Sequence, residues 1–216
     1  LIKDKEKIAI AENFKIFFEV NKFFNINKVE IKDLVFQKID FNIGVNDLTF
    51  FLKFLDIEPN ENKISIIDGN IFFKNNYNDV LFINKIRNSS FYYDPKNLVN
   101  VLVFKNEVFN VPFKLEIRKD QFNKIVITKF NSKKIRLSID NNFYFNNEIK
   151  NGYAEISFIN KTTSFNYQFK KNSLNFESEA LKKNYEGAID FKPFYVTAKF
   201  NYDGLSLKNL LKDNFF

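Results

Sequence analysis

A chain of 216 residues that is 45% hydrophobic can bury a core, and it reads as a single unit over residues 1–216. Its 30 Phe and 9 Tyr exclude intrinsic disorder, which couples high charge to low hydrophobicity. With no His and no Cys, the chain has no catalytic triad, imidazole base, thiol nucleophile, disulfide or thiolate metal site, so no enzymatic activity, cofactor or metal is expected.

The formal charge of +7 is almost all lysine, the arginines being Arg87, Arg118 and Arg136. Arginine is the residue suited to bidentate phosphate and base recognition, so this balance speaks against a sequence-specific nucleic-acid reader. Lys, Asn, Ile and Phe also share A/T-rich codons, and a compositional bias of that kind accounts for the charge without any partner.

In chain order, NFKIFFEV at 13–20 reads as the first strand. NDLTFFLKFLDI at 46–57 has helical spacing, with Asp47 as cap and Leu48, Phe51, Leu52 and Leu55 on one side. Its apolar run is broken by Lys53 and falls far short of the ~20 residues of a membrane-spanning helix. From there the period is two. Phe113, Leu115 and Ile117 alternate with Lys114, Glu116 and Arg118, while Ile135, Leu137 and Ile139 alternate with Lys134, Arg136 and Ser138. NNFYFNN carries Phe143 and Phe145, YAEISFIN follows from Tyr153, and SFNYQFKKNSLNFES places Phe165, Tyr167, Phe169, Leu174 and Phe176 on one side of a ribbon.

After Pro193 the apolar parity shifts from Ile189 and Phe191 to Phe194, Val196, Ala198 and Phe200, which predicts a bulge or strand break. DGLSLKNLLKDN at 203–214 supplies a second short helix through Leu205 or Leu207, Leu210 and Leu211. Short polar connections at 75–79, 131–134, 150–152 and 170–173 favour local antiparallel pairing of about a dozen strands.

Chemistry-bearing patterns are sparse. No GxGxxG or GxxxxGK phosphate cradle occurs. The carboxylates Asp94, Glu107, Glu116, Glu148, Glu155, Glu177 and Asp190 fall on the polar parity of strands or in turns, where a solvated surface role is the common one. A hydrolase built on two of them would need a pair buried face to face in a cleft. KFNSKKIRLSI at 129–139 interleaves bases and apolar residues but sends them to opposite faces, whereas a stacking platform for single strands needs both on one surface. No nucleic-acid partner is expected.

Four stretches together resemble the AsmA-like family of Gram-negative envelope proteins, relatives of the TamB group. They are KISIIDGNIFFKNN from Lys63, DVLFINKIRNSSFYYD from Asp79, the VFNVPFKLEI run, and EGAIDFKPFYVTAKFNYDGLSLKNLLK near the end, covering most of residues 60–213. The resemblance implies a mainly β fold, an elongated, bent antiparallel meander forming an open, taco-like groove, which the two short helices read from spacing would interrupt. It further implies a periplasmic protein anchored to the inner membrane, through a segment outside this chain, that takes part in phospholipid transport and outer-membrane homeostasis. Phospholipid acyl chains would be the partner.

The residues expected to line such a groove are Phe113, Leu115, Ile117, Ile135, Leu137, Ile139, Phe143, Phe145, Phe165, Tyr167, Phe169, Leu174 and Phe176. An apolar stripe across a dozen strands exceeds the few hundred Å² that soluble monomers leave exposed, so a second layer or a ligand must cover it. Two short helices are too small to do so. The alternative is a sheet folded on itself as a closed sandwich or barrel, with the same side chains as its core and a structural adaptor role in the envelope.

Overall fold

The computed structural model describes residues 2–3, 6–19, 30–44, 47, 62–75, 77–145, 150–178 and 185–200. They form strands throughout: β1 (Ile2–Lys3), β2 (Glu6–Lys7), β3 (Ala9–Phe18), β4 (Ile31–Gly44), β5 (Lys63–Lys74), β6 (Val80–Asp94), β7 (Val99–Val108) and β8 (Val111–Asp120), followed by β9 (Ile125–Ser132), β10 (Leu137–Tyr144), β11 (Lys150–Phe158), β12 (Lys161–Lys170), β13 (Ser173–Ser178), β14 (Tyr185–Phe191) and β15 (Phe194–Phe200). Strands β3 to β15 make one 13-stranded sheet in sequence order, and β1 and β2 pair separately. The two outer strands, β3 and β15, do not pair with each other, so the sheet is open and the closed barrel does not form.

Both predicted helical stretches, 46–57 and 203–214, lie outside the described residues apart from Asp47, whose carboxylate accepts a 2.9 Å hydrogen bond from the Gly44 amide, and no α-helix occurs among the described residues. The meander is also not uniformly antiparallel, because β4 and β5 pair in parallel. Residues 45–62 separate these strands, a span of the length a parallel crossover requires, whereas every other connection within the sheet joins antiparallel neighbours.

The tight connections follow from backbone conformation. Phe109 and Asn110 between β7 and β8, and Ile159 and Asn160 between β11 and β12, each take two successive positive φ angles, the pattern that matches a two-residue turn to the strand twist. The four-residue turns 95–98, 121–124 and 133–136 each close on a positive φ, at Leu98, Lys124 and Arg136. Two of them repeat one device: Asp94 receives hydrogen bonds from the Asn97 side chain and amide, as Asp120 does from Asn123. The break expected at Pro193 is the Lys192–Pro193 turn joining β14 to β15, and its peptide bond is cis. Residues 150–152, expected as a turn, instead open β11, and Ile135 sits in the 133–136 turn rather than in a strand.

A transverse offset crosses one half of the sheet. Phe14, Phe36, Ile66 and Ser89 lie in one register row, and Ala11, Ile39, Gly69 and Ile86 lie in the next row on the same face. In β3 to β6 these rows are three residues apart, whereas in β7 their counterparts Phe104 and Asn106 are two apart. Each of the four strands therefore carries one extra residue, at Glu12, Lys38, Asp68 and Arg87, with Lys38 and Asp68 at positive φ. Their charges alternate in sign across the sheet. Lys38 pairs with Glu12 at 3.1 Å, and Arg87 pairs with Glu107 of β7, where the offset ends. Beside this crease sits the most buried apolar cluster, Ala9, Ile39, Phe41, Ile43 and Ile86.

Candidate functional site

Residues opposite one another in register share a face, so one row can be followed across the sheet: Ile16, Leu34, Ile64, Phe91, Leu102, Ile117, Thr128, Asn141, Ala154, Phe165 and Ser178. This is the face of the aromatic ribbon. Parallel rows add Phe104, Leu115, Phe130, Ile139 and Ile156 on one side, and Val126, Phe143, Gly152, Tyr167 and Phe176 on the other. Of the residues expected from sequence, Phe113, Leu115, Ile117, Leu137, Ile139, Phe143, Phe165, Tyr167, Phe169, Leu174 and Phe176 share this face and are half-buried. Phe145 continues the same parity just beyond β10, its amide bonded to the Lys124 carbonyl at 2.9 Å. Ile135 does not join them; it is 39% exposed in its turn.

The face is not apolar from end to end, as the sequence reading assumed. Asn84, Ser89, Asn100 and Asn106 cross it on β6 and β7, separating the buried cluster beside the crease from a second apolar field on β8 to β14. Within that second field lies a trough of about 510 Å³, lined by Val126, Thr128, Ile139, Asn141, Phe143, Ala154, Ile156, Phe165, Tyr167, Phe169 and Leu174. Its floor is made by glycine and alanine on β11, and the Tyr167 ring of β12 lies over Gly152. A Cβ on Gly152 would stand 2.3 Å from Tyr167 Cζ and Oη. The ring can therefore cross β11, and its hydroxyl donates a 2.6 Å hydrogen bond to Asn141 Oδ1 on β10. Burial pushes the Tyr167 phenol above its ordinary pKa, partly offset by that bond. Gly187 plays the same part under Phe176, whose Cζ is 2.5 Å from where a Cβ would stand, and Tyr185 Oη donates to the Ser164 carbonyl at 2.9 Å across β13. The glycines were not recognised as site residues from sequence, because their role appears only once the register sets them opposite aromatic rings.

The opposite face is polar. A larger trough there, about 740 Å³, is lined by Asn151, Asn166, Gln168, Asn175, Glu177, Glu186, Thr197 and Lys199 together with Tyr167, Phe176, Gly187 and Ala188. Covering its amides, carboxylates and ammonium with an apolar chain would cost their hydrogen bonds to water. Glu177 and Glu186 stand directly opposite each other across β13 and β14, but both are half-buried, and Lys199 lies 3.5 Å from Glu186. This is a solvated ion pair rather than the enclosed acid pair that hydrolysis would use. Asp94, Glu107, Glu116, Glu155 and Asp190 also project from the polar face, and Glu148 lies outside the described residues. Glu116 accepts from Lys114 Nζ at 2.9 Å and Arg118 Nε at 2.8 Å, and these bonds hold its carboxyl below the usual range against the opposing effect of burial.

At the β15 edge the apolar face is open to solvent, with Phe194 75% and Val196 50% exposed. The fold and face thus define a one-sided, amphipathic, open antiparallel sheet interrupted by one parallel pair. Searched against protein-family models, curated proteins and solved structures, the chain matches none of them.

Proposed function

We propose that the chain is a lipid-binding groove protein, with acyl chains lying in the aromatic trough of β9 to β13, and that it acts in phospholipid transport at a bacterial envelope, anchored to the inner membrane from the periplasmic side. The observation that carries the binding reading is the trough itself: an open apolar concavity on a sheet that no other described element covers. Each acyl methylene moved from water onto such a surface gains up to ~0.8 kcal/mol, so a dozen half-covered methylenes are held by several kcal/mol without any headgroup code. The envelope setting rests on the AsmA-like resemblance of the sequence. No helix among the described residues is long and apolar enough to cross a membrane; the anchor of this proposal is a segment outside this chain, which again rests on the resemblance.

Mass spectrometry of the purified, folded protein tests the reading. Phospholipid should co-purify in a fixed ratio, and Ile139→Asp, which sets a carboxylate in the lining of the trough, should lower that ratio several-fold while the β-sheet circular dichroism is kept. A folded protein that repeatedly carries no lipid, and takes none up from vesicles, overturns the proposal in favour of an adaptor that uses the sheet as a scaffold.

A further inference from the structure

Three hairpin turns meet at one end of the sheet: 109–110 between β7 and β8, 133–136 between β9 and β10, and 159–160 between β11 and β12. The register sets them side by side, since Ser132 pairs with Leu137, Leu137 in turn with Phe158, and Asn131 with Lys114 near the start of β8. Successive turns are two strands, about 9.6 Å, apart. They are also tied together. Lys134 Nζ donates a 2.8 Å hydrogen bond to the Asn110 carbonyl, and the Ile159 amide donates one of 3.2 Å to the Arg136 carbonyl. At their base Ser132, 1% exposed, donates to the Pro112 carbonyl at 2.7 Å. The three turns form one connected ridge.

Its apolar side chains are placed where folding does not reward them. Phe109 is 79% exposed, Ile159 44% and Ile135 39%. Phe109 keeps a ring contact with Phe82, 6.4 Å between centroids, and still leaves most of its surface in solvent. Phe109 and Ile159 also take φ angles of 50 and 46, where a bulky or β-branched residue is strained and a two-residue turn favours Asn or Gly. Strain held at an exposed apolar residue points to a use outside the fold. Around these side chains stand Lys133, Lys134, Arg136 and Lys161, all exposed. The other end of the sheet also exposes apolar turn residues, Leu98 and Phe122. There, however, each turn is closed by a carboxylate, Asp94 or Asp120, which offsets the lysine of the same turn, Lys96 or Lys124. Charge, rather than exposure alone, sets the ridge apart.

We propose that this ridge docks the chain on an anionic phospholipid surface, with Phe109, Ile135 and Ile159 entering the headgroup layer and the cations of the same turns resting on lipid phosphates. Charge complementarity favours that surface, and so does the spacing of the apolar groups. They are separate wedges on neighbouring turns, with cations between them. A fluid interface admits such wedges wherever they fall, whereas a protein partner would need a desolvated apolar core facing a matching pocket. The docking surface goes beyond the groove reading and does not depend on it, because it lies at the ends of the strands and the trough lies on their apolar face.

The chain contains no tryptophan, so Phe109→Trp and Phe122→Trp each install a single fluorescent probe, one at either end of the sheet. With vesicles of equal parts phosphatidylglycerol and phosphatidylcholine, the emission of Phe109→Trp should shift to the blue, less so as salt rises, and that of Phe122→Trp should not shift. In vesicle sedimentation, Phe109→Ser should lower partitioning roughly tenfold. Lys133→Gln with Arg136→Gln should lower it by a similar factor on the anionic vesicles and leave the weak binding to pure phosphatidylcholine vesicles unchanged. Ile159→Asn should raise the urea midpoint by relieving the turn and yet weaken vesicle binding, two changes of opposite sign that a residue kept for stability alone would not give. Ile139→Asp, in the trough, should leave vesicle sedimentation intact. No shift at Phe109→Trp, an equal shift at Phe122→Trp, or ridge variants that sediment as the wild type does would overturn the docking assignment and leave the ridge to a protein contact. Failure of vesicle binding with phospholipid still co-purifying removes the docking surface and leaves the groove standing.

Discussion

Gly152→Ala is the sharpest test of how the trough is built. The added Cβ would lie 2.3 Å from Tyr167 Cζ and Oη and 2.7 Å from the Asn142 carbonyl oxygen, so the ring has to lift by an ångström or more. Lifting it breaks the 2.6 Å bond to Asn141, a loss of about 1 kcal/mol, and overpacking adds about 1–3 kcal/mol. The reduced freedom of alanine in the unfolded chain returns about 0.5–1 kcal/mol, leaving a net destabilisation of about 1–3.5 kcal/mol. Urea denaturation reads this as a fall in midpoint at constant slope. Tyr167→Phe, which keeps the ring, should cost only about 1 kcal/mol. In a Tyr167→Ala background the Gly152→Ala cost should drop by at least about 1 kcal/mol, because only the carbonyl contact remains. A Gly152→Ala variant as stable as the parent, or one whose cost is the same with and without the Tyr167 ring, refutes the picture of a ring lying flat on glycine.

Ile159 is a β-branched residue at φ 46 in a two-residue turn, so Ile159→Asn with Asn160→Gly should raise stability by about 1 kcal/mol, seen as a higher urea midpoint. Glu116 has its carboxyl pKa lowered by Lys114 and then Arg118, so its contribution is present above the ordinary carboxylate pKa and lost as pH falls through the lowered folded value. Glu116→Gln should flatten that limb of an acid titration of stability and leave the neutral region's pH dependence unchanged. Tyr167 acts at the other end: its raised phenol pKa means stability is lost as pH climbs above about 10, and Tyr167→Phe should remove that part of the alkaline loss.

The strands were legible because alternation is a local signal, and β8, β10 and β12 follow it residue by residue. The crease was also written in the chain, since the apolar parity of β4 changes between Phe36 and Ile39, but one inserted residue is easily taken for noise in a single strand. It becomes meaningful only when Asp68 and Arg87 repeat it on the neighbours. The parallel pairing of β4 with β5 left no trace in either strand, because it depends on where residues 45–62 deliver the chain. Ile135 kept the alternation of β10 and still failed to enter it: Arg136 adopts a positive φ, and the turn takes both residues. Which aromatic meets which glycine is a matter of register across hairpins, a property of pairs of strands rather than of either sequence alone.

Where no described element covers the sheet, its apolar face packs against itself, and this gives the abundance of phenylalanine a structural reason beyond codon usage. Strands two apart are separated by about 9.6 Å, further than aliphatic side chains standing upright from each can bridge. Rings do reach: Phe143 and Phe169 meet at 5.7 Å between β10 and β12, where Gly152 stands opposite Phe143 on β11, and Phe169 and Phe191 meet at 6.3 Å between β12 and β14, past Leu174 on β13. Each contact of this kind adds about 0.5–1.5 kcal/mol beyond the area it covers. It also leaves the outer surface of the ring facing the trough. The same side chains therefore stabilise the open sheet and keep its concave surface apolar. Replacing one ring by leucine, as in Phe169→Leu, should loosen β12 against both β10 and β14, an effect that amide hydrogen exchange would register on all three strands, whereas a ring serving only as ligand contact would leave that exchange unchanged.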